Sequence, residues 1–296
     1  MNFIYGLSKN GISLVKYFIH SNVNFKCWDD DILIRKKFYT KFNKSLLNNP
    51  HRTNLNKYTK IFLSPGINAR QEIFRKIENN ENKIYRDLNL YYENIENEKI
   101  VAITGTNGKS TTTKLIGEIF KESGYPTFVG GNIGTPLLDA YVNKNKYTHH
   151  IIELSSFQLE LIKNFNPTVS ILLNLSKDHL DRYRNYNDYI NQKKKIFSSN
   201  AFSYNIISLD DFESKKICDS KKIKKLVTFS IKNPKANIYT KDNYIVDNFF
   251  KANKKINLNQ ISKDLLGNFN LQNILAAYIV TKIFKIKLSI FKKKLK

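Results

Sequence analysis

Gly105-Thr106-Asn107-Gly108-Lys109-Ser110-Thr111 is a run of small, hydroxyl and amide residues closing on one lysine. It follows the compact apolar stretch Ile100-Val101-Ala102-Ile103. Those residue types in that order suit a phosphate cradle. Glycines let backbone N–H groups converge on oxygens, and the N-terminus of a following helix adds a positive field. Lys109 would reach the terminal phosphates, and the Ser110 hydroxyl would hold Mg²⁺. The full phosphate-loop spacing puts a further glycine five positions before Gly108, where this chain has Ile103. The motif is therefore a shortened variant with Gly105 as its first glycine. The plain alternative is a helix N-cap built from Thr and Gly. Gly-Lys-Ser at a strand-to-helix junction favours the phosphate reading.

Two other strand ends carry ionisable groups. Glu153 closes the strand expected over 150–154, and ligands of open α/β sheets bind at the carboxyl ends of strands. A carboxylate there can complete a Mg²⁺ site, although alone it would be an ordinary strand-end charge. The stretch 174–183 follows the strand expected over 169–173 and gathers Asp178, His179 and Asp181. That is a candidate second metal or phosphate group. A lone His-Asp pair is more often structural, and the strand-end position shifts the balance.

These groups need elements to hold them. An apolar opening over 3–7 runs into the turn Gly6-Leu7-Ser8-Lys9-Asn10-Gly11, then into helical spacing with Ile12, Val15, Phe18 and Ile19 on one face. Strands are expected at 25–28, ending in Asp29-Asp30-Asp31, and at 61–63, closed by Ser64-Pro65-Gly66. This rhythm argues for a parallel α/β sheet. The polar stretch 92–99 suits a domain boundary. The expected division is an N-terminal Rossmann-like parallel-sheet domain over 1–94, then a phosphate-loop α/β domain over 95–296. Further strands are expected at 206–209 and 226–229, helices at 158–164, 186–197 and 270–284, and a small antiparallel section over 237–258.

A chain of 296 residues with 41% hydrophobic content can bury about two cores. Two cysteines, Cys27 and Cys218, exclude a disulfide framework and a Cys-based zinc pattern, which suits a reducing compartment such as the cytoplasm. No apolar run approaches the ~18 residues of a membrane span, and the N-terminus does not read as a secretory signal. The net charge of +24 comes from 42 lysines and only 7 arginines, spread along the chain. A reader of bases would favour arginine forks, so the charge reads as compositional bias rather than as specific nucleic-acid binding.

Taken together the motifs resemble the Mur ligases, the ATP-dependent amino-acid ligases of peptidoglycan precursor synthesis. Residues 104–110 match the family's ATP loop. The stretch Glu153-Leu154-Ser155-Ser156-Phe157-Gln158-Leu159-Glu160 resembles the branch that joins D-glutamate to UDP-N-acetylmuramoyl-L-alanine. Residues 130–134, 64–67 and 174–183 fit the same branch, and 267–277, with Asn270 and Asn273, look like its adenine-side motif. The resemblance implies that ATP phosphorylates the substrate carboxylate and that the amine of D-glutamate attacks the acyl phosphate. It makes Lys109, Glu153, His179 and Lys193 catalytic. Lys193 falls where the family has a carbamylated lysine. Mg²⁺ would sit on Ser110, Glu153, His179 and Lys193. ATP would sit on Gly105, Thr106, Asn107, Gly108, Lys109, Ser110, Thr111, Asn270 and Asn273. The UDP substrate would meet Lys9, Asn10, Asp29, Ser64, Asn132 and Ser155. A monomer is expected.

Departures from the family pattern are local. Ser8 replaces the middle glycine of the first turn, Phe269 stands where a histidine precedes the asparagine, and Arg86-Asp87-Leu88-Asn89-Leu90 stands for Gly-Asp-Ile-Glu-Leu. The family's third, C-terminal domain finds no counterpart in these 296 residues. Two readings stay open: a ligase, or a nucleotide-binding module without ligase activity.

Overall fold

The computed structural model describes residues 1–143, 145–179, 181–220, 222–251, 256–258 and 268–296, leaving aside the side chains of 80, 268 and 269. The chain divides into two compact units, one of 1–96 with 135–145 and 157–163, the other of 97–134 with 146–156 and 164–296. Each is an α/β assembly.

In the first unit, strands β1 (Asn2–Tyr5), β2 (Phe25–Trp28), β3 (Ile61–Leu63) and β4 (Ile84–Tyr85) pair in parallel in the order β2-β1-β3-β4. The helix Lys9–His20 follows β1 and buries Val15 and Phe18 of the expected face together with Leu14, whereas Ile12 is half-buried and Ile19 is exposed, so the buried stripe is turned from the one expected. A side chain at Gly11 would collide with the Gly6 carbonyl, so this helix can start hard against the turn. The helix Ile32–Tyr39, which the spacing of apolar residues does not reveal, begins where the Asp31 side chain accepts from Leu33 N. The core is aromatic. Phe3 lies 4.8 Å from Tyr58 between ring centroids, and Phe74 meets Tyr5 edge-on at 5.1 Å. Such pairs add about 0.5–1.5 kcal/mol each beyond the area they bury.

The second unit is built on one sheet of nine strands among the described residues. They are β5 (Lys99–Thr104), β6 (Thr127–Gly131), β7 (His149–Glu153), β8 (Val169–Leu172), β9 (Tyr204–Ser208), β10 (Leu226–Ser230), β11 (Ile238–Lys241), β12 (Tyr244–Asp247) and β13 (Ile256–Asn257). Their order is β13-β12-β11-β10-β9-β8-β5-β7-β6. Pairing is parallel from β6 to β11 and antiparallel across β11-β12-β13. The central strands are continuous apolar runs, as a sheet covered on both faces requires: Ile100, Val101, Ala102 and Ile103 are all buried. Ile116, Ile119 and Phe120 of the helix Lys109–Glu122 share this core with Leu275, Tyr278 and Ile279 of the helix Asn268–Ile283.

The helix expected over 158–164 is instead the single turn Ser156–Leu159. Leu161 spends its carbonyl on Asn89 Nδ2 at 3.1 Å, and Asn164 adopts a positive φ of 52°. Gly267 and Leu180, both within expected motifs, lie outside the described residues. Among the described residues no helix is long and apolar enough to cross a membrane.

Candidate active site

β5 delivers the chain into the loop 105–108, and Gly108, at φ 80°, caps the helix Lys109–Glu122. A Cβ at Gly108 would run into the Asn273 side-chain oxygen. No side chain caps this helix, so its first N–H groups lack a side-chain acceptor from the capping residue. The loop is clamped from a neighbouring strand end. Asn107 N donates to Asn174 Oδ1 at 2.8 Å, Asn174 Nδ2 donates back to the Asn107 carbonyl at 3.1 Å, and Thr106 N donates to the Asn174 carbonyl at 2.9 Å. Asn174 also donates to Gln272 Oε1 at 3.2 Å.

Glu153 ends β7 beside this loop and is only 1% exposed. Ser110 Oγ donates to its Oε2 at 2.8 Å, and Asn132 Nδ2 donates to its Oε1 at 2.9 Å. Asn132, expected to meet the UDP substrate, is thereby bound to the β7 carboxylate beside the loop. Lys109 Nζ donates to the Thr106 carbonyl at 2.8 Å. Burial lowers its pKa, against the pull of Glu153 and Asp178.

Lys193 lies in the helix Tyr186–Lys194 and is 2% exposed. Its Nζ donates to the Gly105 carbonyl at 2.7 Å and reaches Thr104 Oγ1 at 3.4 Å. Burial first, and the Lys109 charge second, push this amine down to about 7, with Asp178 and Glu153 opposing. Tyr189, one helical turn earlier, lies with its ring 4.8 Å from Lys193 Nζ and its hydroxyl 3.0 Å from Thr106 Oγ1. His179 has a positive φ of 51° and holds Nε2 3.5 Å from Asp178 Oδ2, its ring 6.5 Å from that of Tyr189. Asn273 accepts from Thr112 Oγ1 at 2.9 Å, and its Nδ2 lies 3.4 Å from Asn270 Oδ1. Thr111 is exposed at the start of the helix, and Ser155 is half-buried two residues past Glu153.

The expected ATP-side residues thus come together in the second unit. Asn174 and Tyr189 were not among them. The Asn174 signal is its place directly after the strand expected over 169–173, two residues past β8 as observed, and the Tyr189 signal is its spacing of four from Lys193. A hydroxyl and a carboxylate already in contact at the mouth of a phosphate loop are hard oxygen donors, the set Mg²⁺ prefers. Among the described residues no group of three His, Cys, Asp or Glu is gathered as a metal site.

The expected UDP-side residues of the first unit are engaged in shaping its turns. Asp29 accepts from Leu7 N at 2.6 Å and from Asp31 N at 2.9 Å. Ser64 Oγ donates to the Gly6 carbonyl at 2.7 Å. Asn10 Nδ2 donates to Asp87 at 2.5 Å, and Lys9 opens the helix, exposed. Asn132 and Ser155 belong to the second unit.

A largely parallel sheet with a glycine loop opening a helix after one strand and a carboxylate at the end of its neighbour is the architecture of nucleotide-binding α/β proteins. Residues 103–281 match the Mur ligase middle domain, and the chain belongs to that family. It is 38% identical over 286 residues to the UDP-N-acetylmuramoylalanine–D-glutamate ligase of Rickettsia bellii, covering 95% of this chain and 62% of the relative. It is 39% identical over 285 residues to the same-named enzyme of Rickettsia prowazekii, with the same two shares. The chain therefore spans about three fifths of the length of these curated relatives. Among solved structures it is similar in fold to the UDP-N-acetylmuramate:L-alanyl-gamma-D-glutamyl-meso-diaminopimelate ligase from Neisseria meningitides. That match has a TM-score of 0.64 at 12% identity and covers 99% of this chain and 96% of the other.

Proposed function

We propose that this chain carries out the ATP-binding and substrate-binding part of an ADP-forming ligation that joins D-glutamate to UDP-N-acetylmuramoyl-L-alanine in peptidoglycan precursor synthesis. The observation that carries the reading is the Ser110–Glu153 contact of 2.8 Å beside Lys109 at an uncapped helix N-terminus. The names of the relatives supply the substrates. Residues 95–296 would hold ATP and 1–94 the UDP group. The free, unpaired Cys27 and Cys218 suit the reducing cytoplasm.

In this reading the chain's task is positioning and charge neutralisation. The helix N-terminus and the Gly105–Thr111 backbone receive the phosphates, and Lys109 leaves the Thr106 carbonyl for the transferring phosphoryl group. The Asn174 clamp keeps the loop from refolding around the ligand, so the donors are aimed before ATP arrives. Asn270 and Asn273, the latter bonded to Thr112 beside the loop, would meet the nucleoside by the family resemblance. Mg²⁺, held by Ser110 and Glu153 and toward a second position by His179 and Lys193, would neutralise phosphate charge. Lys193, with a pKa near 7, is in part a neutral amine at neutral pH. A neutral amine can take up CO₂ as a carbamate with release of one proton, and this supports the family role of Lys193. The γ-phosphoryl group would pass from ATP to the substrate carboxylate with ADP as leaving group, and the amine of D-glutamate would then attack the acyl carbon, releasing inorganic phosphate and a proton.

The test uses the 296-residue chain with Mg-ATP, UDP-N-acetylmuramoyl-L-alanine and borohydride, which reduces an acyl phosphate to the alcohol. The expected result is ADP and the alcohol, each requiring the UDP substrate and each absent from Lys109→Ala. ATP binding with no transfer would favour the nucleotide-binding module. No ATP binding would overturn the assignment.

A further inference from the structure

Residues 86–89, where the sequence leaves its family's pattern, form a buried hub in the first unit. Arg86 is fully buried. Its guanidinium donates to the carbonyls of Leu63 at 3.2 Å, Ser64 at 2.7 Å and Ile67 at 3.0 Å, and to Glu160 Oε2 at 2.5 Å. Asp87, also buried, accepts from Asn10 at 2.5 Å. Asn89 accepts from Arg86 N at 2.9 Å and donates to the Leu161 carbonyl. One short segment therefore reaches both glycine turns, 6–11 and 64–67, which are themselves joined by the Ser64–Gly6 hydrogen bond.

A buried guanidinium is costly to desolvate and is kept only where its hydrogen bonds are well made. Here the carbonyl of Leu63 at the end of β3 and those of Ser64 and Ile67 in the turn that follows point their negative ends at the same cation. Without it, those ends would converge uncompensated beneath the turn, and an anion docking on the turn would meet them. We propose that Arg86, held by Glu160, is a positioning residue for the anionic nucleotide-linked substrate. It fixes the 64–67 turn and cancels the negative potential of its carbonyls. This rests on the reading of the first unit as the UDP-substrate side.

The test uses the full chain and UDP as probe, followed by calorimetry and by the fluorescence of Trp28, the single tryptophan. Variants are Arg86→Met, Arg86→Lys and Glu160→Gln, each measured at a temperature where circular dichroism shows it folded. Mg-bound non-hydrolysable ATP is titrated in parallel. We expect the UDP dissociation constant to rise about tenfold in Arg86→Met and about threefold in Arg86→Lys, with ATP affinity unchanged. A merely structural arginine would lower the unfolding temperature yet leave the UDP affinity of the folded protein at the wild-type value, and that result overturns the proposal. If Arg86→Met does not fold, Arg86→Lys decides. Weaker UDP binding with unchanged ATP binding supports the proposal, and unchanged UDP binding overturns it. Wild-type chain that binds ATP but not UDP overturns the substrate reading of the first unit, and this inference with it.

Discussion

After β5 the chain turns into its helix on Gly105 and Gly108, the latter at φ 80°, and the backbone itself makes the cradle. After β1 it turns on Gly6 at φ 91°, but Ser8 replaces a second glycine, and side chains make the rest of the shape. Asp29 holds Leu7 N, Ser64 holds the Gly6 carbonyl, and Asp87 holds Asn10. A glycine-built turn is pre-shaped by what its residues can adopt. A side-chain-built turn depends on buried charges placed elsewhere in the sequence. Both are vulnerable to one Cβ, at Gly108 in the first and at Gly6 or Gly11 in the second, but the second is vulnerable as well to the loss of one distant partner.

The largest effect should come from breaking the glycine-built turn. Gly108→Ala places a Cβ against Asn273 at a φ that L residues adopt only with strain. ATP-analogue affinity measured by calorimetry should fall by about 100-fold or more, since phosphate donors lose their aim. Wild-type affinity would show that the loop tolerates reshaping.

Next comes the charge-built turn. Glu160→Leu leaves the Arg86 guanidinium buried with its carboxylate partner gone. Urea unfolding should show a loss of about 3 kcal/mol. Arg86→Met together with Glu160→Leu should lose much less than the sum of the single changes. Additive losses would mean the two residues act independently.

A third effect concerns acid. Burial holds the His150 pKa down to about 4, against Glu98, which raises it. Between pH 6.5 and about 4 the unfolded chain binds a proton at this residue and the folded chain does not. Stability therefore rises with pH through that window, and up to about 3 kcal/mol is lost as pH falls through it. His150→Phe should flatten the urea midpoint between these pH values. An unchanged slope would move the acid sensitivity to other groups.

The smallest effect separates both turns from the bulk charge. Nucleic-acid affinity should be weak, independent of sequence and steeply reduced by salt, because 42 lysines are dispersed and arginines number 7. Filter binding with unrelated duplexes of equal length checks this, and a sequence-selective complex at physiological salt would contradict it.

The same contrast explains what could be read from sequence. Gly105–Ser110 were legible because glycine conformation, helix polarity and lysine reach are local properties. Glu153 and Asn174 were legible as strand ends, although the role of Asn174 as a clamp was not, since its partners lie 67 residues away. The strand β6 escaped notice because its Gly130-Gly131 looks like a turn. Gly131, at φ 113°, is needed there because a Cβ would strike the backbone of Glu153. The hub at 86–89 read as a loss of pattern. Only the fold brings Glu160 and the 64–67 carbonyls to Arg86, across separations of 74 and about 20 residues.

In the proposed reading Lys109, Ser110 and Glu153 form one Mg-ATP site. Calorimetric titration of a non-hydrolysable ATP analogue, with and without Mg²⁺, tests it most directly on wild type, Lys109→Ala and Glu153→Gln. Tight wild-type binding should require Mg²⁺. Lys109→Ala should bind more weakly in both conditions, and Glu153→Gln should lose most of the Mg²⁺ enhancement alone. Identical Mg²⁺ dependence in Glu153→Gln and wild type would contradict the account.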